Sequence, residues 1–144
     1  MNINDQASIF SKLTSNSKVE DGYNEKLLSK SRVIQLNPGE KLHDFNYLPP
    51  GILYISKGQV RHLIKSSDNQ ILTIDRYGMG DFVGAEQILR GSVDCSLSAS
   101  TQVEGLLLPI EDLLNAITDF PDIVNNFVCL KPYELISSTF SNPL

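Results

Sequence analysis

Along most of the chain apolar residues recur with a period of two, and only towards the ends with a period near 3.6. The first 30 residues read as helical and amphipathic. Ile9, Phe10 and Leu13 fall at helical spacing, and Leu27 and Leu28 form a second small apolar face. Between them Thr14 to Asn24 is polar and contains Gly22, which predicts a loop or a break. From Arg32 the period shortens. Val33-Ile34-Gln35-Leu36 predicts a strand, Asn37-Pro38-Gly39-Glu40 a tight turn and Lys41-Leu42-His43 a short strand. Two adjacent prolines stiffen the loop from Asn46 to Pro50.

Three longer strands follow. Ile52 to Ser56 turns at Lys57-Gly58 and pairs back through Gln59 to Ile64 as a hairpin. Ser66 to Asn69 makes the next turn, and Ile71 to Tyr77 the third strand. Gly78-Met79-Gly80-Asp81 ends it. Phe82-Val83-Gly84 leads into Ala85 to Leu89, which favours one or two helical turns. Ser96 to Ser100 and Val103 to Leu108 read as two more strands. The tail is helical: Ile110 to Ile117 has helical spacing, and Pro121 suits the first turn of a helix from Asp122 to about Leu130. Lys131-Pro132 interrupts it, and Glu134 to Phe140 adds a last turn or two.

Short strands with turns every 8–12 residues or so predict an antiparallel roll rather than a βαβ protein. The expected class is mainly β with flanking helices: an antiparallel, jelly-roll-like β-roll with an N-terminal helix, one small internal helix and C-terminal helices. The 144 residues suit one domain. It divides into a helical segment 1–30, a β-roll 31–109 and a helical tail 110–144. With 41% hydrophobic and 20% charged residues the chain is ordinary for a globular protein. Its net charge of −5, without any basic stripe in the linear sequence, disfavours direct binding to nucleic acid. The N-terminus lacks the basic start and apolar stretch of a signal peptide, and no apolar run reaches membrane-helix length. The expectation is a cytoplasmic chain that makes no membrane contact itself. Cys95 and Cys129 are far apart and lack a CxxC spacing, which predicts two buried free thiols.

The order of parts and three glycine-containing segments resemble the cyclic-nucleotide-binding domain over about residues 5 to 130. Pro38-Gly39-Glu40 resembles the turn after that family's first strand. Leu53-Tyr54-Ile55-Ser56-Lys57-Gly58-Gln59-Val60 resembles its hallmark hairpin. Gly80-Asp81-Phe82-Val83-Gly84 resembles the glycine–aspartate step leading into its phosphate-binding cassette. The family includes sensor domains of bacterial catabolite-activator-type regulators, protein kinase A regulatory subunits and gated channels. The resemblance implies that backbone N–H groups at the small helix meet the ligand phosphate, that a glutamate accepts from the ribose hydroxyl, and that an arginine pairs with the phosphate.

Against that pattern this chain departs. Gly84 stands at the cassette glycine, but Ala85 follows where the glutamate belongs, and Glu86 comes one place later. Counted from either side, the arginine's place falls on Val93 or Asp94. Neither pairs with a phosphate, and Asp94 would repel one by about 1–4 kcal/mol at surface-like dielectric. Arg90 is the only Lys or Arg between Asp81 and Thr101. The candidate cassette is therefore Gly84, Ala85, Glu86, Gln87, Arg90, Ser92, Val93, Asp94 and Ser96. Glu86 and Arg90 are the side chains that could replace the missing pair or simply face solvent, and Ser92 and Ser96 can offer hydroxyls. These departures argue against ordinary cyclic AMP binding. They leave a vestigial site, or one for a different and uncharged small molecule.

Other chemistries have less support. A cupin-like metalloenzyme needs two or three converging histidines, and only His43 and His62 exist, without an HxH pair. No GxSxG turn or GxxxxGK loop is present. Tyr47, Tyr54, Tyr77 and the phenylalanines read as core and hairpin packing. The expected function is a non-enzymatic regulatory module without catalytic residues, metal or cofactor, whose only small-molecule partner is a ligand of the cassette. In the family, ligand shifts the small helix and the C-terminal helices together. Here the moving tail would be Pro121 to about Phe140, docking through Ile123, Val124, Phe127 and Val128 and open to homodimer formation. No DNA-reading helix-turn-helix follows, so the chain is expected to act alone or within a longer protein. The shifted Gly84-Ala85-Glu86 resembles the N-terminal sensor of some bacterial ABC-type exporters. A protein-interaction module with a dead pocket is the rival reading.

Overall fold

The computed structural model describes residues 10, 11, 14, 19, 22–91 and 93–127, Phe127 by its backbone alone. Helix α1 (Tyr23–Lys30) is followed by β1 (Arg32–Leu36), β2 (Lys41–His43), β3 (Gly51–Lys57), β4 (Val60–Lys65), β5 (Ile71–Tyr77) and β6 (Phe82–Val83). Helix α2 (Ala85–Arg90), β7 (Cys95–Ala99), β8 (Val103–Pro109) and α3 (Ile110–Asp119) come next. A 3-10 turn (Pro121–Ile123) and a short α4 (Val124–Phe127) complete the described chain.

The eight strands form two antiparallel sheets, ordered β1-β8-β3-β6 and β2-β7-β4-β5. The expected β-roll is present. Side-chain alternation explains how the layers stack. On β3, Leu53 and Ile55 face the second sheet, and on β8 Val103 and Leu107 do the same. There they meet Val60 of β4 and Leu97 and Ala99 of β7. The other face of the first sheet carries Ile52, Leu106 and Leu108, which pack against Phe10, Leu27, Ala85, Ile88, Leu113, Ala116 and Ile123. The central strands β3 and β8 of the first sheet are thus covered on both faces, the reason β8 reads as the unbroken run Leu106-Leu107-Leu108. The second sheet is covered on its inner face, and on its other face Leu63, Ser96 and Ser98 are buried as well.

Close approach makes one glycine obligatory at the join of β3 and β8. A Cβ on Gly51 would stand 2.0 Å from the Leu108 carbonyl oxygen, inside the strand ladder itself. At the termini, the Tyr23 ring meets Phe120 edge-on, with centroids 4.8 Å apart, so α1 is joined to the C-terminal turn. Burial, with the charge of Asp119, raises the Tyr23 phenol above its ordinary 10.0.

Several sequence expectations need correction. Thr14 is not in an open loop: it is helical and buried, and its hydroxyl bonds the Phe10 carbonyl and, at 2.8 Å, Asn24 Oδ1. The predicted helix from Asp122 opens instead as a 3-10 turn at Pro121, because Phe120 leaves the helical region with φ −136° and ψ 77°. Tyr47 is 69% exposed rather than core. Cys95 is a buried free thiol as expected, while Cys129, Val128 and the tail from 128 to 144 lie outside the described residues. Among the described residues no helix is long and apolar enough to cross a membrane.

The clash at Gly51 gives a sharp expectation. Gly51→Ala should destabilise the chain by about 1–3 kcal/mol or more in urea unfolding. Val33→Ala on the exposed part of β1 should stay within about 0.5 kcal/mol. Equal effects would show that the β3–β8 contact is not the tight point of the fold.

Candidate functional site

The stretch Phe82–Arg90 crosses from the first sheet into α2. Gly84 supplies the corner with φ +103°, a left-handed value that favours glycine. Added atoms would also collide, since a Cβ there would lie 2.6 Å from the Gly51 carbonyl oxygen and 3.3 Å from Pro49. The short helix then anchors itself through Ala85 and Ile88, both members of the helix-side core. Gly91 ends it in the left-handed region, its N–H bonding the carbonyls of Gln87 and Ile88.

This anchoring changes the meaning of the departures seen in the sequence. Ala85, where the resemblance places a ribose-binding glutamate, is buried in apolar contacts. A carboxylate there would lose its hydration among apolar neighbours that offer it no charge partner. Glu86, the next residue, instead turns along its own helix. Its Oε1 lies 2.7 Å from Arg90 Nη2, an i,i+4 pair with the glutamate side chain 16% and the arginine side chain 46% exposed. A half-exposed helix pair of this kind contributes about 0.2–0.5 kcal/mol. Its larger consequence is local neutrality, because the two charges expected to read ribose and phosphate contact each other.

The remaining candidates are dispersed. Gln87 is buried on α2. Val93 and Asp94 are exposed in the link to β7, where the Val93 carbonyl accepts the Asn46 N–H at 2.8 Å. Ser96 is fully buried on β7, and its hydroxyl donates to the His43 carbonyl at 2.9 Å. That hydroxyl is therefore spent on the neighbouring strand. Ser92 lies outside the described residues. The structure brings Gly84, Ala85, Glu86, Gln87 and Arg90 together on one corner, and puts no cation of the cassette at Val93 or Asp94.

Sequence reasoning passed over a buried polar row on the inner face of the second sheet. His43 of β2 is opposite Leu97 of β7, Leu97 is opposite His62 of β4, and His62 is opposite Asp75 of β5. Directly opposed residues share a face. Two irregularities create the row. A register shift between Lys41 and His43 puts His43, rather than Leu42, opposite Leu97. A second leaves Ile74 as an extra residue between Thr73 and Asp75. His62 stacks on Tyr77 at 6.4 Å. The signal for His62 lay in the sequence, since it alternates with Val60 and Ile64; that for His43 did not, because a bulge carries no local signature.

His43 has a determined tautomer. Its Nδ1 is 3.0 Å from the Tyr47 carbonyl and 3.3 Å from the Asp44 carbonyl, groups that only accept, so Nδ1 carries the proton. Nε2 is then a buried acceptor with no hydrogen-bond partner among the described residues. Burial pulls the imidazole below its ordinary 6.5, opposed in smaller part by the two carbonyls and the Asp44 carboxylate. Among the described residues no group of three His, Cys, Asp or Glu side chains is arranged to hold a metal ion.

Comparison with solved structures identifies the fold. The regulatory subunit of a cAMP-independent protein kinase A from Trypanosoma brucei, a triple mutant bound to cAMP in the A site, superposes with a TM-score of 0.76 at 16% identity. It covers 95% of this chain and 50% of that one. The corresponding Trypanosoma cruzi subunit, bound to guanosine, gives 0.72 at 16% identity over 96% of this chain and 50% of that one. Thermus thermophilus catabolite activator protein gives 0.69 at 21% identity, over 91% and 61%. The fold is that of the cyclic-nucleotide-binding domain. The chain spans about half the length of the kinase subunits it matches. No family model and no curated protein sequence matches it.

The buried imidazole sets a pH dependence. A folded pKa below the unfolded one means that the unfolded chain binds the extra proton first. The His43 contribution should be complete above about pH 6.5 and decline as pH falls through the lower folded value. Urea midpoints between about pH 8 and about pH 5 should therefore fall less in His43→Gln than in the wild type, and parallel profiles would contradict this.

Proposed function

We propose that the domain is a non-enzymatic ligand sensor whose cassette takes an uncharged, nucleoside-like molecule in preference to a cyclic nucleotide. The observation that carries the reading is the Glu86–Arg90 pair. The single cation of the cassette is already neutralised on its own helix, and Val93 and Asp94 occupy the counted arginine positions. An incoming phosphate monoanion gains no charge-assisted partner and meets Asp94. A neutral ligand is spared that cost. Guanosine bound to the Trypanosoma cruzi subunit supports the idea that such a roll can take a nucleoside.

The response follows from what shares a core with the cassette. Ala85 and Ile88 of α2 pack in the same cluster as Leu113 and Ala116 of α3 and Ile123 of the 3-10 turn. A ligand that favours one placement of α2 would bias the C-terminal helices through that shared core, provided its affinity differs between the two arrangements. The Gly84-Ala85-Glu86 step is what supports a place as the N-terminal sensor of a bacterial ABC-type exporter, in the cytoplasm.

Thermal denaturation with guanosine, cyclic AMP and cyclic GMP at millimolar concentration tests the reading. Guanosine should raise the midpoint, and the cyclic nucleotides should raise it less. Asp94→Arg, which replaces a repulsion by a donor, should strengthen the cyclic AMP shift by about tenfold in apparent affinity. A wild-type midpoint raised most by cyclic AMP would overturn the proposal. No shift with any compound, together with dimers in sedimentation, would favour an interaction module with a dead pocket.

A further inference from the structure

The second sheet turns one face to the roll interior; on its other face Leu63, Ser96 and Ser98 are buried while Lys41, Lys65 and Arg76 are exposed, and register aligns four residues across it. Lys41 of β2 is opposite Ser98 of β7, Ser98 is opposite Arg61 of β4, and Arg61 is opposite Arg76 of β5. These positions alternate with Leu97, Ala99, Val60 and Tyr77, whose side chains pack inward, so the row faces out. Three of its four members are cations, in a chain of net charge −5. Lys65 extends the same face along β4, its ammonium 4.8 Å from the Phe45 ring. Asp44 is the acid in contact with Lys41, at 3.0 Å, and that hydrogen bond, with a second from the Phe45 N–H, holds its carboxyl below the ordinary carboxylate value. Arg61 Nε is buried and has no hydrogen-bond partner among the described residues.

Two arginines directly opposite one another disfavour strand pairing, with Cβ atoms about 5 Å apart. A solvated sheet face has no need of them, since threonine or an opposed glutamate would serve it better. What the row does provide is two forked guanidinium groups side by side, which suit planar carboxylates. We propose that this outer face docks an acidic protein segment, with Arg61 and Arg76 sharing its carboxylates and Lys41 on the far rim. Nucleic acid fits less well, because the cations are few and the chain as a whole, with pI ≈ 4.9, repels a polyphosphate.

The test uses the full chain and a labelled poly-glutamate peptide in fluorescence anisotropy, at low and at raised ionic strength. The wild type should bind, more weakly in salt. The double variant Arg61→Gln/Arg76→Gln should lose about tenfold or more in affinity, with an unfolding midpoint no lower than the wild type's. Lys30→Gln, on the exposed surface of α1, should bind like the wild type. The proposal fails if the wild type does not bind, if the double variant binds equally well, or if Lys30→Gln weakens binding as much. Tighter binding of duplex DNA than of the peptide would reassign the face to nucleic acid. Self-association abolished by the same double variant would reassign it to a second copy of the chain.

Discussion

Pairing of β3 with β8 is the constraint on which the molecule depends. These two strands carry apolar side chains on both faces, towards the second sheet on one side and the helices on the other. Neither layer has a core of its own without them. The pair is also where backbone comes closest, since Gly51 leaves no room for a Cβ beside Leu108. Close-packed interiors do not deform continuously, so a change on one side of this sheet is felt as a shift of whole elements on the other.

The candidate site inherits its character from that arrangement. Because Gly84 lies against Gly51 and Ala85 sits in the helix-side core, the small helix is fastened to the first sheet by backbone contact and by apolar burial. Its outer side is left to Glu86 and Arg90, which pair with each other. An alanine in the core and a self-neutralised ion pair have one physical meaning together. The corner is held by apolar burial, and its described cation is engaged by an acid of the same helix.

The second sheet carries two polar rows, one on each face. Inside the roll, His43 and His62 are buried beside Leu97, and the orphan Nε2 of His43 makes that row sensitive to protonation. Outside, the same sheet shows Lys41, Arg61 and Arg76 in one line. Both rows arise from register, which pairs residues that are tens of positions apart in the chain. Their polar members lie outside the apolar core clusters, and each row has a cost for folding: desolvation within, like-charge proximity without.

Sequence alone determined the class of the molecule. Period-two apolar patterns, turn residues at Asn37-Pro38-Gly39-Glu40 and Lys57-Gly58, and glycines at 80 and 84 are local signals, and local propensity and global fold agree there. That Val93 and Asp94 stand where the resemblance implies an arginine was legible too, because it is a matter of residue identity. Tertiary structure alone decided that Glu86 is engaged by Arg90, that Ala85 is a core residue, that Thr14 is buried against Asn24 and that Tyr47 is exposed. It also placed His43 and the three cations in rows. The reason is physical: burial, partner choice and strand register depend on residues distant in sequence, and a one-residue bulge reverses a face without leaving a mark in the local pattern.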